Sequence, residues 1–158
     1  MAQVDVNAAV EQAIERQALR PGGLLPLLHD IQDRLGYVPE DRIAQIAKAM
    51  HLSAAEVYGV VRFYHHFRSQ APGRHVLRLC LAEACRSMGA QQLLEHARAA
   101  LGIGLHETTG DGEVTLEPVY CLGNCACAPA LMVDDAQLVG RVDAERFDAV
   151  VSQCRRPS

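Results

Sequence analysis

An α/β protein in two parts, a small helical bundle at 1–72 followed by a mixed domain at 73–158, is what the sequence predicts. Three observations carry that reading. Apolar residues recur at helical spacing through residues 6–64, strand-like runs follow the break at Ala71-Pro72-Gly73, and all six cysteines lie at position 80 or beyond. In the first part, Val6, Val10, Ala13 and Ile14 share one helical stripe over 6–19, which RPGG at 20–23 stops. Leu24, Leu27, Leu28, Ile31 and Leu35 form the next stripe, with Gly36 where a C-terminal cap is wanted. Pro39 opens a third helix through Ile43, Ile46, Ala47 and Met50, and Ser53-Ala-Ala-Glu56 supplies a capping box for a fourth reaching about Tyr64.

In the second part, His75 to Cys80 reads as a strand that delivers Cys80 at its end. Residues 90–101 make an amphipathic helix through Leu93, Leu94, Ala97, Ala100 and Leu101, closed by Gly102. Asp111-Gly112 turns the chain into a strand over 114–120, and 130–133 with 137–142 read as a hairpin around Asp134-Asp135. A last helix, capped by Asp143, buries Phe147, Val150, Val151 and Cys154. The predicted order is β-α-β-β-β-α around one sheet.

Composition narrows the class. Of 158 residues, 49% are apolar and 22% charged, a globular balance. The net charge of -4 is spread along the chain, without the basic patch that nucleic-acid binding requires. No apolar run approaches the roughly 18 residues of a membrane span. The opening MAQVDVNAAVEQAIER lacks the apolar core of a secretory signal, so a cytoplasmic protein is expected.

In a reducing compartment, clustered cysteines more often bind metal or do redox chemistry than form structural disulfides. Cys80 and Cys85 flank four residues after one strand, and Cys121 and Cys125 flank three after another. Two strand-end loops that each contribute a thiolate pair meet the demand of a 2Fe-2S cluster for four ligands, two per iron. Structural zinc fits the spacing less well, since one gap is ordinary and the other lies at the edge of the usual range. Spacing alone leaves zinc and unligated or redox-active thiols open. Small residues in Cys121-Leu-Gly-Asn-Cys-Ala-Cys-Ala-Pro129 would let backbone N–H groups approach the sulfurs, which favours the iron-sulfur reading.

The chain resembles the thioredoxin-like 2Fe-2S ferredoxin subunits of NADH-linked electron-transfer complexes, the 24-kDa-type subunits of respiratory complex I. The resemblance rests on LLHDIQDRLGYVP at 27–39, VYGVVRFYHHF at 57–67, and the Cys80, Cys85, Cys121, Cys125 pattern with its CLGNC and following Ala-Pro. Within that family, HHFR at 65–68, AEAC at 82–85, HETTGDGEVTLEPVYCLGNCACAP at 106–129 and ALMV at 130–133 look most like the gamma subunits of soluble NAD-dependent formate dehydrogenases. Diaphorase small subunits of NAD-reducing hydrogenases and the complex I subunit itself are close competitors.

The resemblance implies a helical N-terminal domain and a thioredoxin-like domain holding one 2Fe-2S cluster on Cys80, Cys85, Cys121 and Cys125. It also implies a beta-type partner subunit with FMN, the NAD site and a 4Fe-4S cluster. Beyond that partner it implies a large alpha-type subunit whose molybdenum or tungsten pterin oxidises formate. No catalytic residue is expected in this chain, and its Gly-x-Gly pieces at 102–104 and 110–112 lack the full dinucleotide fingerprint. Cys127 reads as a spare thiol, Cys154 as a small core residue, and His65-His66 as solvated or packed. Tyr58, Phe63, Tyr64 and Phe67 read as packing or subunit-contact aromatics, and Arg86 as an exposed loop arginine.

Overall fold

The computed structural model describes residues 5–156, and the chain divides between Ala71 and Pro72 into two units, each with its own core. In the first unit, α1 (Val6–Gln17) begins where the Asp5 carboxylate accepts the Asn7 N–H at 2.9 Å. It stops at Gln17, short of the expected 19, because the Arg20 N–H turns back onto the Gln17 carbonyl and the Gly23 N–H onto that of Arg20. The second helix, α2 (Leu24–Leu35), ends on Gly36 at φ 82°, the left-handed cap that glycine adopts without a β-carbon penalty. After Pro39 a single 3₁₀ turn at Glu40–Arg42 precedes α3 (Ile43–Ala49), so this helix starts later than its proline suggests.

In α4 (Ala54–Phe63) the expected capping box forms. Ser53 Oγ accepts the Glu56 N–H at 3.2 Å, and the Glu56 carboxylate accepts the Ser53 N–H at 2.8 Å. Val10, Leu27, Leu28, Ile31, Val38, Ile46 and Val57 are completely buried at the centre of this unit. One polar side chain joins them. Gln32, 4% exposed, donates to the His66 carbonyl at 2.8 Å and accepts the Arg68 N–H at 2.7 Å, which ties the segment after α4 to α2 and leaves neither end of the amide unpaired.

The second unit runs β1 (His75–Cys80), α5 (Glu83–Ser87), α6 (Ala90–Leu101), β2 (Glu107–Thr108), β3 (Val114–Val119), β4 (Ala130–Val133), β5 (Gln137–Gly140) and α7 (Ala144–Cys154). Among the described residues five strands form one mixed sheet in the order β2-β3-β1-β4-β5. Only β1 and β3 pair in parallel, with Cys80 opposite Val119; the other three pairings are antiparallel. Leu77, Leu79, Leu116, Leu131 and Phe147 fill the core, and Cys154 is buried beside them as expected. Two elements are additional to the sequence reading. One is β2, two residues long, and the other is the five-residue α5; both are too short for a period of 2 or 3.6 to show. Among the described residues no helix is long and apolar enough to cross a membrane.

Two outcomes are expected from this packing. Replacing Phe147, which has no exposed surface, by Ala costs about 3–5 kcal/mol of stability in denaturant unfolding. The Ser53 hydrogen bonds hold the Glu56 carboxyl below the usual glutamate range. Its lowered folded-state pKa means that the cap contributes stability above the unfolded glutamate pKa and loses it as pH falls through the folded one. Ser53→Ala keeps the backbone N–H that lowers Glu56 most, so its unfolding curves differ from wild type at all pH, through the lost Oγ cap, and by somewhat more at neutral than at acid pH.

Candidate functional site

Parallel strands release their C-termini at the same end of a sheet, and β1 and β3 are the parallel pair. Cys80 is the last residue of β1, and Cys121 follows β3 by two residues. The Leu81 N–H donates to the Val119 carbonyl at 2.8 Å, so the pairing persists to the point where both loops leave the sheet. All four cysteines expected to form the site come out at this end. The structure places Cys85 on α5, inside a helical turn and not in the open loop that the sequence suggested.

Burial divides the thiols into two pairs. Cys80 and Cys85 are each 2% exposed and form the floor, whereas Cys121 and Cys125 lie at the surface with their sulfurs 4.0 Å apart. Burial pushes the Cys85 thiol up, and a hydrogen bond with Cys80 adds to that, while an N–H from Ala130 pulls it partly back. The Cys125 thiol is raised chiefly by its bond to Cys121 and by the charge of that neighbour, and the charge of Cys80 reaches it as well. Mutual influence of this kind places the two pairs within electrostatic reach of each other. Among the described residues no three His, Cys, Asp or Glu side chains gather around a single point, so the donors stand as two couples.

That donor set fits a binuclear iron-sulfur group, which takes two thiolates on each iron. The surface pair is also prepared by its backbone. Gly123 N–H donates to Cys121 Sγ at 3.3 Å, from a glycine at φ 74° that turns the loop toward the sulfur. Cys121 itself has φ 145°, a backbone state that residues with a β-carbon rarely adopt and one that concentrates at functional sites. After Cys125 the chain makes one 3₁₀ turn, Cys125–Cys127, and enters β4 through Ala128 and Pro129.

The remaining candidates separate cleanly. Cys154 is 6% exposed on the inward face of α7, and Cys127 is half-buried in the loop itself. His65 and His66 are exposed in the first unit, the His66 ring lying 5.1 Å from that of His29. Of the four aromatics, only Phe67 is buried; Phe63 is 74% exposed. Arg86 is exposed on α5. The small residues around the cysteines led the sequence to expect backbone N–H groups at the sulfurs; the structure identifies two of them, Gly123 on Cys121 and Ala130 on Cys85, which no residue type marks individually.

In the metal-free protein, mass spectrometry after timed alkylation is expected to show Cys121 and Cys125 modified well before Cys80, Cys85 and Cys154, since access follows burial.

Three comparisons bear on what this site holds. Residues 10–155 match the family model described as thioredoxin-like 2Fe-2S ferredoxin. The chain is 43% identical over 105 residues to an NADH-quinone oxidoreductase subunit of Pseudomonas aeruginosa, a match covering 66% of this chain and 63% of that protein. It is 33% identical to the NADP-reducing hydrogenase subunit HndA of Solidesulfovibrio fructosivorans over 144 residues, or 91% of this chain and 84% of that one. Among solved structures, an air-oxidised NAD+-reducing NiFe-hydrogenase superposes with a TM-score of 0.67 at 28% identity, covering 89% of this chain and 24% of the hydrogenase chain.

Proposed function

As this chain belongs to the thioredoxin-like 2Fe-2S ferredoxin family, we propose that it is the electron-transfer subunit of an NAD-linked oxidoreductase complex, with Cys80, Cys85, Cys121 and Cys125 as cluster ligands. The observation that carries this reading is the parallel β1–β3 pair, which brings both thiol pairs to one end of the sheet. When bound, a 2Fe-2S cluster takes up and returns single electrons. The chain's own part is to hold and tune it. Cys80 and Cys85 anchor the group from a buried floor, Cys121 and Cys125 close the solvent side, and the Gly123 and Ala130 N–H groups offset negative charge on sulfur. Those donors favour the reduced form, and burial of the floor opposes it. No side chain here is assigned as acid, base or nucleophile; hydride chemistry is assigned to the FMN of a partner.

The parent complex proposed is a soluble NAD-dependent formate dehydrogenase. Its beta-type subunit carries FMN, NAD and 4Fe-4S centres, and its large alpha-type subunit oxidises formate at a molybdenum or tungsten pterin. Support comes from the segments at 65–68, 82–85 and 106–133 that resemble gamma subunits of such enzymes. The names of the relatives favour a second reading, the equivalent subunit of a NADH:quinone oxidoreductase or of an NAD-reducing hydrogenase.

Absorption and low-temperature EPR of the chain purified without oxygen test the cluster. About two irons and two labile sulfides per chain are expected, with a rhombic signal on reduction. Cys80→Ser and Cys121→Ser each remove most of the chromophore, whereas a colourless protein with one zinc per chain overturns the reading. Retrieval of the tagged chain with its natural partners, followed by formate:NAD, hydrogen:NAD and NADH:quinone assays, decides the parent complex. Formate:NAD activity is the outcome expected.

A further inference from the structure

The ligand loop and β5 meet at Gly140 with no space between them. A β-carbon at this position would lie 2.7 Å from Cys127 Cβ, 2.8 Å from Asn124 Nδ2 and 2.9 Å from the Cys127 carbonyl oxygen. Separations this short do not occur between real side chains, so two residues of the loop rest on bare backbone. Hydrogen bonds fix the contact. Arg141 N–H donates to the Cys127 carbonyl at 2.6 Å and Val142 N–H to the Pro129 carbonyl at 3.0 Å. These bonds carry the β4–β5 pairing, in which Ala130 faces Gly140, back along the loop. Inside the loop, Cys127 N–H donates to Asn124 O at 3.0 Å and Ala128 N–H to Cys125 O at 3.3 Å. Cys125 thus sits in a single closed turn whose far end is tied to β5.

We infer that Gly140 is a positioning residue for the cluster, and that Cys127 is the foot on which the ligand loop stands and not a fifth ligand. The inference rests on the cluster assignment above. Its physical content is steric: the place of Cys125 follows that of Cys127, and Cys127 is set by contact with a residue that has no side chain. A methyl group at 140 lifts the foot and, through the closed turn, moves Cys125 relative to Cys121. Cys127 contributes through its Cβ and its carbonyl, so its sulfur is dispensable.

The test uses the full chain loaded without oxygen with ferrous iron and sulfide, as wild type and as Gly140→Ala, Cys127→Ala, Cys127→Ser and the double variant Gly140→Ala/Cys127→Gly. In Gly140→Ala the EPR g values shift, and cluster loss to an iron chelator accelerates about 10- to 100-fold, the usual effect of disturbing groups that hold metal ligands in place. The double variant lacks the nearest obstacle to the new methyl while the Cys127 carbonyl and Asn124 still meet it, so its g values and its chelation rate return part of the way toward wild type. A loss of stability that arises away from this contact would give no such rescue. Cys127→Ala and Cys127→Ser keep the Cβ and hence the wild-type g values. Unchanged g values and chelation in Gly140→Ala, no rescue in the double variant, or shifted g values in Cys127→Ala or Cys127→Ser would each overturn the inference.

If Gly140→Ala fails to fold by circular dichroism, Cys127→Val takes its place, adding a methyl to the same contact from the loop side with β5 intact. It carries the same expected result and the same overturning one. Failure of the cluster assignment has its own signature, a wild-type chain that holds no cluster. The clamp is then read in the metal-free chain, where Gly140→Ala speeds iodoacetamide modification of half-buried Cys127 several-fold. An unchanged rate overturns it.

Discussion

Parallel pairing of β1 with β3 is the constraint on which the second unit depends. Each strand has six residues, so strands of this length span about 20 Å from end to end. Were the pair antiparallel, its two cysteine loops would leave opposite ends of the sheet, too far apart to share one small cofactor. Parallel pairing in turn demands a crossover, since a tight hairpin cannot return the chain to the same end. That is the work of α6, whose buried face of Ala90, Leu93, Leu94, Ala97 and Leu101 belongs to the same core as the sheet. The crossover between the two parallel strands thereby accounts for the buried stripe of α6.

The remaining strands serve the same end by other means. Antiparallel pairing of β4 with β1 brings the exit of the second cysteine loop back beside the strand that carries Cys80, and the Ala130 amide at its start reaches Cys85. A pair of carboxylates, Asp134 and Asp135, lies at the other end of β1. Asp134 bonds His75 at 2.6 Å and the Val76 N–H at 2.8 Å at the beginning of β1, and Arg78 bridges Glu117 at 3.1 Å and also meets Asp135. The acidic hairpin turn is therefore held at the start of β1, the end away from the sulfurs, with Asp135 paired to Arg78.

The buried and exposed thiol pairs contribute differently to this arrangement. Cys80 and Cys85 come from a strand end and a short helix set into the core, so their positions are fixed by the same contacts that fold the unit. Cys121 and Cys125 come from a loop whose apolar anchors are Leu122 and Ala128. Backbone hydrogen bonds, a positive φ at Cys121 and the close seat against β5 add to them. The result is a site with one rigid wall and one wall held by local geometry, which suits a group that must be enclosed and still exchange electrons with the outside.

Much of this was legible in the residues because it is written in periods and punctuation. The stripes from Leu24 to Leu35 and from Ala90 to Leu101, their glycine caps, the Ser53–Glu56 box and the strand from His75 to Cys80 all follow from local propensity and side-chain spacing, and all appear where the sequence places them. The choice of Cys80, Cys85, Cys121 and Cys125 as one candidate set likewise came from spacing within each pair. What the sequence by itself determined was therefore the longer elements and the inventory of thiols. Only the tertiary structure decided which sulfurs lie on the floor and which at the surface, that Cys85 rides on a helical turn, that Gln32 is satisfied by backbone more than 30 residues away, and that Gly140 has no room for a β-carbon. Each of these is a contact between segments remote in the chain, and such contacts are set by the sheet order and register, about which local periodicity carries no information.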